Sequence, residues 1–254
     1  MNISIKDYLA TKGINGNIIL YRDKQHKKKA LCEYLAKNIS TDKTICIYSG
    51  GAFGLYIAKA FPNNKVVICG SRITDEYKQQ IVQMSNATII EGLATATNAK
   101  TKVYAEANGY FYINQFDNPF IKAYYKNHLV NIIAELQGTS INAFCDAGHS
   151  CGTMAGFIES GLTSWQFVLG VNIDGRTNVH YLTNLTDKFV QETTLNFDTA
   201  VLQAEIEAAY PSFGNIFEAT RSISAAMSWL QKNPNKTVLV YVGDSPVFGE
   251  DFSF

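Results

Sequence analysis

Three consecutive lysines, Lys27, Lys28 and Lys29, stand directly before a helical pattern in the stretch HKKKALCEYLAKN (26–38). The free amides at a helix start carry partial positive charge and attract anions, so a cation run there is mildly unfavourable. Two readings stay open. The run is a solvated charge cluster, the usual state of such side chains, or one amine is committed to chemistry that removes its charge. A lysine in a Schiff base no longer needs bulk solvation and fits an enclosed cleft. Two further stretches carry residue types suited to a ligand. In ICIYSGGAFGLYIAKAF (45–61) a strand-like run enters Ser49-Gly50-Gly51-Ala52-Phe53-Gly54 and then a helical pattern. In AFCDAGHSCGTMAGFIESG (143–161) the turn is Gly148-His149-Ser150-Cys151-Gly152-Thr153. Small residues let backbone amides approach a ligand, and a helix start favours an anion. Neither stretch fits the dinucleotide fingerprint GxGxxG, and no Gly-Lys-Ser/Thr closes either as a phosphate loop of the nucleotide-hydrolase kind. Each by itself reads equally well as a tight structural turn. Together they suit a ligand with two anionic groups, or a cofactor phosphate plus a substrate carboxylate.

The elements that must position these residues are legible as apolar runs: 17–21, 44–48, 65–69, 87–90, 110–114, 141–147, 166–173 and 236–242. Several are apolar throughout, as expected of strands covered on both faces of a parallel sheet. Helical periodicity appears in Leu31, Tyr34, Leu35 and Ile39, and again over 53–61, 77–84, 124–136 and 222–230. Alternation of this kind predicts an α/β architecture of two lobes, each a mostly parallel sheet with flanking helices. LQGTS (136–140) is the best internal break, and ligand is expected at the carboxyl ends of the strands.

Composition removes several function classes. Twenty-two Lys and Arg balance 22 Asp and Glu among 254 residues, so there is no broad electrostatic footprint for nucleic acid. No apolar run approaches the roughly 20 residues a membrane helix needs. MNISIKDYLATKG lacks the basic-then-apolar layout of a signal peptide, and a cytoplasmic protein is expected. Cys32, Cys46, Cys69, Cys145 and Cys151 form no CxxC and no closely spaced Cys/His pairs. That predicts reduced thiols and no metal.

Taken in order, the local strings resemble the fold-type II pyridoxal phosphate-dependent enzymes, the cysteine synthase and tryptophan synthase β relatives. His26-Lys27 before a helix resembles the family's cofactor lysine, and YSGGAFGLYIA (48–58) its carboxylate-binding loop. NQFDNP (114–119) is very close to the Gln-Phe-Asp-Asn-Pro string of cysteine synthases, and HSCGTMAG (149–156) resembles the glycine-rich phosphate loop. IFEATRSISAAMSWL (216–230) and KTVLVYVGDSP (236–246) resemble the segment carrying the serine that faces the pyridine nitrogen and the final strand. The matches run in family order from about residue 17 to the end of the chain.

The resemblance implies a tryptophan synthase β-like fold, with a smaller domain over 23–140 and a larger one formed by 1–22 with 141–254. It implies pyridoxal 5'-phosphate as cofactor, held as a Schiff base by Lys27, with Lys28 or Lys29 as alternatives after a register slip. Gly148, His149, Ser150, Cys151, Gly152 and Thr153 would hold the phosphate. Ser222 would face the ring nitrogen and Ala52 would lie beside the ring. Ser49, Gly50, Gly51 and Phe53 would bind the substrate. The implied activity is β-elimination or β-replacement on a small amino acid of the O-acetylserine, serine or cysteine type, in a homodimer.

The string also departs from the family. Ala52 falls where an asparagine is usual and has no group to bond the ring oxygen. His149 and Cys151 replace glycines of the phosphate loop, where a Cβ restricts positive φ. The chain is short, with little before Lys27. A catalytically lapsed member that binds a small ligand or partner protein is the alternative these changes favour. An unrelated α/β nucleotide-binding enzyme is the third reading, opposed by the missing nucleotide fingerprints.

Overall fold

The computed structural model describes residues 1–22, 27–70, 73–90, 98–115, 117–146, 152–170, 186–192, 196–214 and 216–242, with the side chains of Lys27 and Glu218 excluded. The chain forms two compact units. One comprises Met1–His26 with Tyr125–Phe254, the other Lys27–Tyr124.

The Lys27–Tyr124 unit carries a four-stranded sheet, β3 (Ile45–Tyr48), β4 (Val66–Cys69), β5 (Ala87–Ile90) and β6 (Phe111–Ile113), in the order β5-β4-β3-β6. Every neighbouring pair is parallel. Parallel strands need crossover connections, here α3 (Ala52–Ala60), α4 (Asp75–Val82) and α5 (Asn98–Ala107). α2 (Lys27–Asn38) packs against α3. Burial follows position in the sheet. β3 and β4 are nearly dry on both faces, whereas the edge strands β5 and β6 are half-exposed. Cys46, Val67 and Cys69 point to the face covered by Ala105 of α5. Ile68 points the other way, against Gly54 of α3.

The other unit holds a six-stranded sheet in the order β1-β2-β10-β7-β8-β9. Its strands are β1 (Asn2–Ser4), β2 (Gly16–Arg22), β7 (Ala143–Asp146), β8 (Gln166–Gly170), β9 (Phe189–Glu192) and β10 (Lys236–Val242). Only β1, at the edge, runs antiparallel. One core joins Ile18, Leu20, Val168, Val238 and Val240 of the sheet to Leu202 and Ile206 of α8 (Thr199–Ala209) and to Ala226, Trp229 and Leu230 of α9 (Thr220–Lys232). Residues 152–158 of α7 (Gly152–Ser160) are all buried, as an all-apolar helix must be. α1 (Lys6–Thr11) and α6 (Pro119–Glu135) complete the helices used below.

The expected architecture of two mostly parallel sheets with flanking helices is therefore the one found. Five helices and strands had no counterpart in the sequence reading: β1, α1, α5, β9 and α8. β1 reads Asn-Ile-Ser and β9 Phe-Val-Gln-Glu, neither an apolar run of the kind that marked the other strands. α8 is a clearer omission, because Asp198 caps it by accepting hydrogen bonds from the amides of Ala200 (2.8 Å) and Val201 (3.0 Å). Among the described residues no helix is long and apolar enough to cross a membrane. Replacing Asp198 with Ala should lower stability by about 1 kcal/mol, the usual value of an N-cap, while Asp198→Asn should be nearly neutral. Urea unfolding of the three proteins measures both.

Candidate active site

In a parallel sheet every strand delivers its following loop to the same edge, where ligands collect. In the Lys27–Tyr124 unit that edge carries the loop after β3, and this loop is built around one hydroxyl. Ser49 is 1% exposed, and its Oγ accepts hydrogen bonds from the amides of Gly51 (3.1 Å) and Gly54 (2.9 Å). The Ser49 amide donates to the Cys69 carbonyl (3.0 Å), which continues the sheet one residue beyond β3. Ser49 therefore serves both strand and helix. It satisfies two of the donors that any helix start leaves open. The first-turn amides of Ala52 and Phe53 are the donors Ser49 does not take.

Glycine is required in this loop for steric reasons. Gly51 has φ 134°, a conformation that costs a side-chain-bearing residue heavily, and a Cβ there would lie 2.5 Å from Cδ2 of Tyr77. A Cβ on Gly70 would collide with the Ser49 carbonyl, and one on Gly54 would press Ile68 at 3.0 Å. Gly50 differs: it is exposed, and a Cβ there would meet nothing within 4 Å. The loop thus has a braced side and an open side, and the open side offers backbone to a ligand. Gln115 adds a further brace, its Nε2 donating to the Tyr48 carbonyl at 2.8 Å. After it Asn118 caps α6 with Pro119 in the first helical position, its Oδ1 accepting from Phe120 (2.9 Å) and Ile121 (3.3 Å). NQFDNP is thus a loop support followed by a helix start.

Ala52 and Phe53 open α3 and are both buried, at 8% and 7% exposure. The structure brings Ser49, Gly50, Gly51, Ala52 and Phe53 into this one junction. Lys27 is the first residue of α2, whose first turn has no acidic residue; its side chain lies outside the described residues. Lys28 and Lys29 are half-buried, so neither is a fully solvated charge. Burial and the charge of Lys29 lower the pKa of Lys59 on α3.

In the other unit the corresponding junction is the passage from β7 to α7. Gly148, His149, Ser150 and Cys151 lie outside the described residues. Gly152 and Thr153 begin α7, both buried, with Thr153 at 4% exposure and no acidic residue in the first turn. A helix start of this composition offers donors to an anion and no charge against it. Ser222, in the first turn of α9, is 3% exposed, and its carbonyl accepts from the Cys145 thiol at 3.1 Å. Cys145 is the penultimate residue of β7. Ser222, Gly152 and Thr153 are thereby all tied to the carboxyl end of that strand. These residues fit a phosphorylated aromatic cofactor: amide donors without opposing charge for its phosphate, and a neutral buried hydroxyl for its ring.

The remaining reactive side chains are engaged elsewhere. Burial pushes the Cys32 and Cys145 thiols up, and hydrogen bonding to Cys69 with burial does the same for Cys46. His128 packs edge-on to Tyr241 and Tyr21, with ring centroids 5.5 and 6.3 Å away. His180 lies outside the described residues. Sequence reasoning did not single out Tyr77 or Gly70, whose role depends on packing across α4 and β4. Gln115 sits inside a string that was quoted, but its bond to Tyr48 needed coordinates.

The chain matches the family model described as pyridoxal-phosphate dependent enzyme over residues 14–182. No curated protein matches it in sequence. Solved structures share its fold at low identity. O-ureido-L-serine synthase bound to O-ureido-L-serine aligns at 16% identity over 94% of this chain and 88% of that one, with a TM-score of 0.70. The O-acetylserine-dependent cystathionine beta-synthase of Helicobacter pylori aligns at 18% over 97% and 92%, TM-score 0.72. Cysteine synthase of Entamoeba histolytica aligns at 14% over 96% and 84%, TM-score 0.70.

Replacing Ser49 with Ala leaves the buried amides of Gly51 and Gly54 without their acceptor. An unmade buried hydrogen bond costs about 1–3 kcal/mol. Chemical denaturation should show a loss in that range, and a loss below about 0.5 kcal/mol would mean water or a relaxed loop replaces the hydroxyl.

Proposed function

Since this chain belongs to the pyridoxal-phosphate dependent enzyme family and its cofactor is pyridoxal 5'-phosphate, we propose that it catalyses β-elimination or β-replacement on a small amino acid. The reading is cysteine synthase-like, with O-acetylserine, serine or cysteine as the substrate type. The observation that carries it is Ser222, a neutral buried hydroxyl in the first turn of a helix with no acidic residue there. A hydroxyl opposite the ring nitrogen leaves that nitrogen unprotonated, which suits elimination at the β-carbon. The three related structures named above, two acting in serine-derivative chemistry by name and one a cysteine synthase, support the same reading.

Each group has one task in this proposal. The Lys27 amine attaches the cofactor and, once displaced by substrate, removes the proton from the substrate α-carbon. The bound cofactor supplies an electron sink for the charge that develops there. Backbone amides of Gly148, His149, Ser150, Cys151, Gly152 and Thr153 hold the phosphate at the positive end of α7. Ser49 and Gly51 shape the substrate-binding loop, the Ser49 hydroxyl holding the Gly51 amide, and Gly50 and Phe53 offer their amides to the substrate carboxylate. Ala52 lies beside the ring and makes only apolar contact. The carboxylate loop belongs to the smaller domain and the phosphate loop to the larger, in a cytoplasmic homodimer.

A second reading rests on Ala52, which offers nothing polar where the family has an asparagine. It makes the chain a lapsed member that retains ligand binding without turnover. Borohydride reduction of the pyridoxal phosphate-loaded protein, followed by peptide mapping, separates the two readings. The proposal expects a visible absorption band, cofactor fixed to Lys27, and Lys27→Ala lowering turnover by about 10²–10⁴-fold, the span of a general base. Label spread over Lys27, Lys28 and Lys29 without turnover of any serine derivative would establish the lapsed reading.

A further inference from the structure

Tyr77, in the first turn of α4, occupies the space a side chain would fill at Gly51. A Cβ on Gly51 would meet Cδ2, Cγ and Cβ of Tyr77 at 2.5, 2.8 and 3.0 Å. The ring and its root, not a flexible tip, stand against the loop backbone. Gly51 is also the residue whose φ of 134° turns β3 into α3. The preceding Gly50 is exposed, and a Cβ there would meet nothing within 4 Å. Tyr77 is half-buried, held on α4 by a helix start at Thr74. The loop is thus clamped between Ser49, which takes its amides from below, and the Tyr77 ring, which closes off its back.

We propose that Tyr77 is a positioning residue for substrate. By packing on Gly51 it holds the turn that carries the amides of Gly50, Ala52 and Phe53, the donors Ser49 leaves for an α-carboxylate. This inference rests on the carboxylate-binding reading of the loop. Its physical content is preorganisation. A loop already held in its bound conformation spends no affinity on being ordered, and one released from its brace does. The ring supplies the brace, so the phenol hydroxyl is dispensable. The effect belongs on substrate binding and not on cofactor attachment, which uses other residues.

The test compares wild type, Tyr77→Phe and Tyr77→Ala, each loaded with pyridoxal phosphate. Hydrogen exchange of the 49–56 segment is followed together with the change in visible absorption on titration with L-serine, O-acetyl-L-serine and L-cysteine. In Tyr77→Ala, exchange in 49–56 should quicken about tenfold and the titration midpoint rise about tenfold, with cofactor content and exchange in β10 unchanged. Tyr77→Phe should match wild type in every reading. An unchanged midpoint in Tyr77→Ala, with wild type responding normally, overturns the positioning role and leaves the carboxylate loop standing. No response of wild type to any of the three amino acids sinks the carboxylate reading, and the role of Tyr77 with it. Loss of cofactor in Tyr77→Ala would show a general structural defect and also overturns the proposal.

Discussion

Parallel pairing is the constraint on which the rest of this protein depends. A strand cannot pair in parallel with the next one through a tight turn, so each must be followed by a crossover helix. All the strand-to-helix loops then lie on one edge of their sheet. In the Lys27–Tyr124 unit this places the loop after β3, the segment after β4 that leads to α4, and the support at Gln115 side by side. In the other unit it ties the start of α7 and the start of α9 to the end of β7. Site residues far apart in sequence become neighbours because the hydrogen-bond ladder allows no other return path. The cost is that central strands lose water on both faces, which is why β3, β4, β7 and β8 are apolar almost throughout.

The loop at Ser49 shows how such an edge is held in shape. A helix start has more donors than acceptors, and two of its amides are buried here. One serine hydroxyl takes both, so the conformation is stable before any ligand arrives. The first-turn amides of Ala52 and Phe53 are the donors this hydroxyl leaves. Glycines occur where backbone meets backbone or ring, at Gly51, Gly54 and Gly70, and each excludes a side chain for its own steric reason. The tightness that gives the loop its shape also limits what evolution can place in it. Ala52, buried at the head of α3, is small enough to be tolerated and contributes no polar group.

The cysteines illustrate the opposite outcome for potentially reactive groups. Cys46, Cys69 and Cys145 sit within strands and Cys32 within a helix, and all four are free and buried. Burial keeps Cys32 and Cys145 protonated, outweighing the charge of Lys28 near Cys32, so they act as small apolar side chains. His128 is likewise taken up by packing between two tyrosine rings.

The sequence by itself determined the fold class, the position of most strands to within two residues, and the family. Short apolar runs alternating with helical periodicity read as strands buried on both faces of a parallel sheet, and the family strings occur in order. It also marked two glycine-rich stretches between a strand and a helix, and the first of them joins β3 to α3. The edge strands β1 and β9 stayed hidden, because Asn-Ile-Ser and Phe-Val-Gln-Glu mix polar with apolar residues and form no apolar run. Tertiary structure alone decided how Ser49 is used, which side of its loop is open, and that Tyr77 and Gln115 support it. Those facts depend on which side chains meet across separate elements. A local string records residue types and spacing, and holds no record of what will be packed against them.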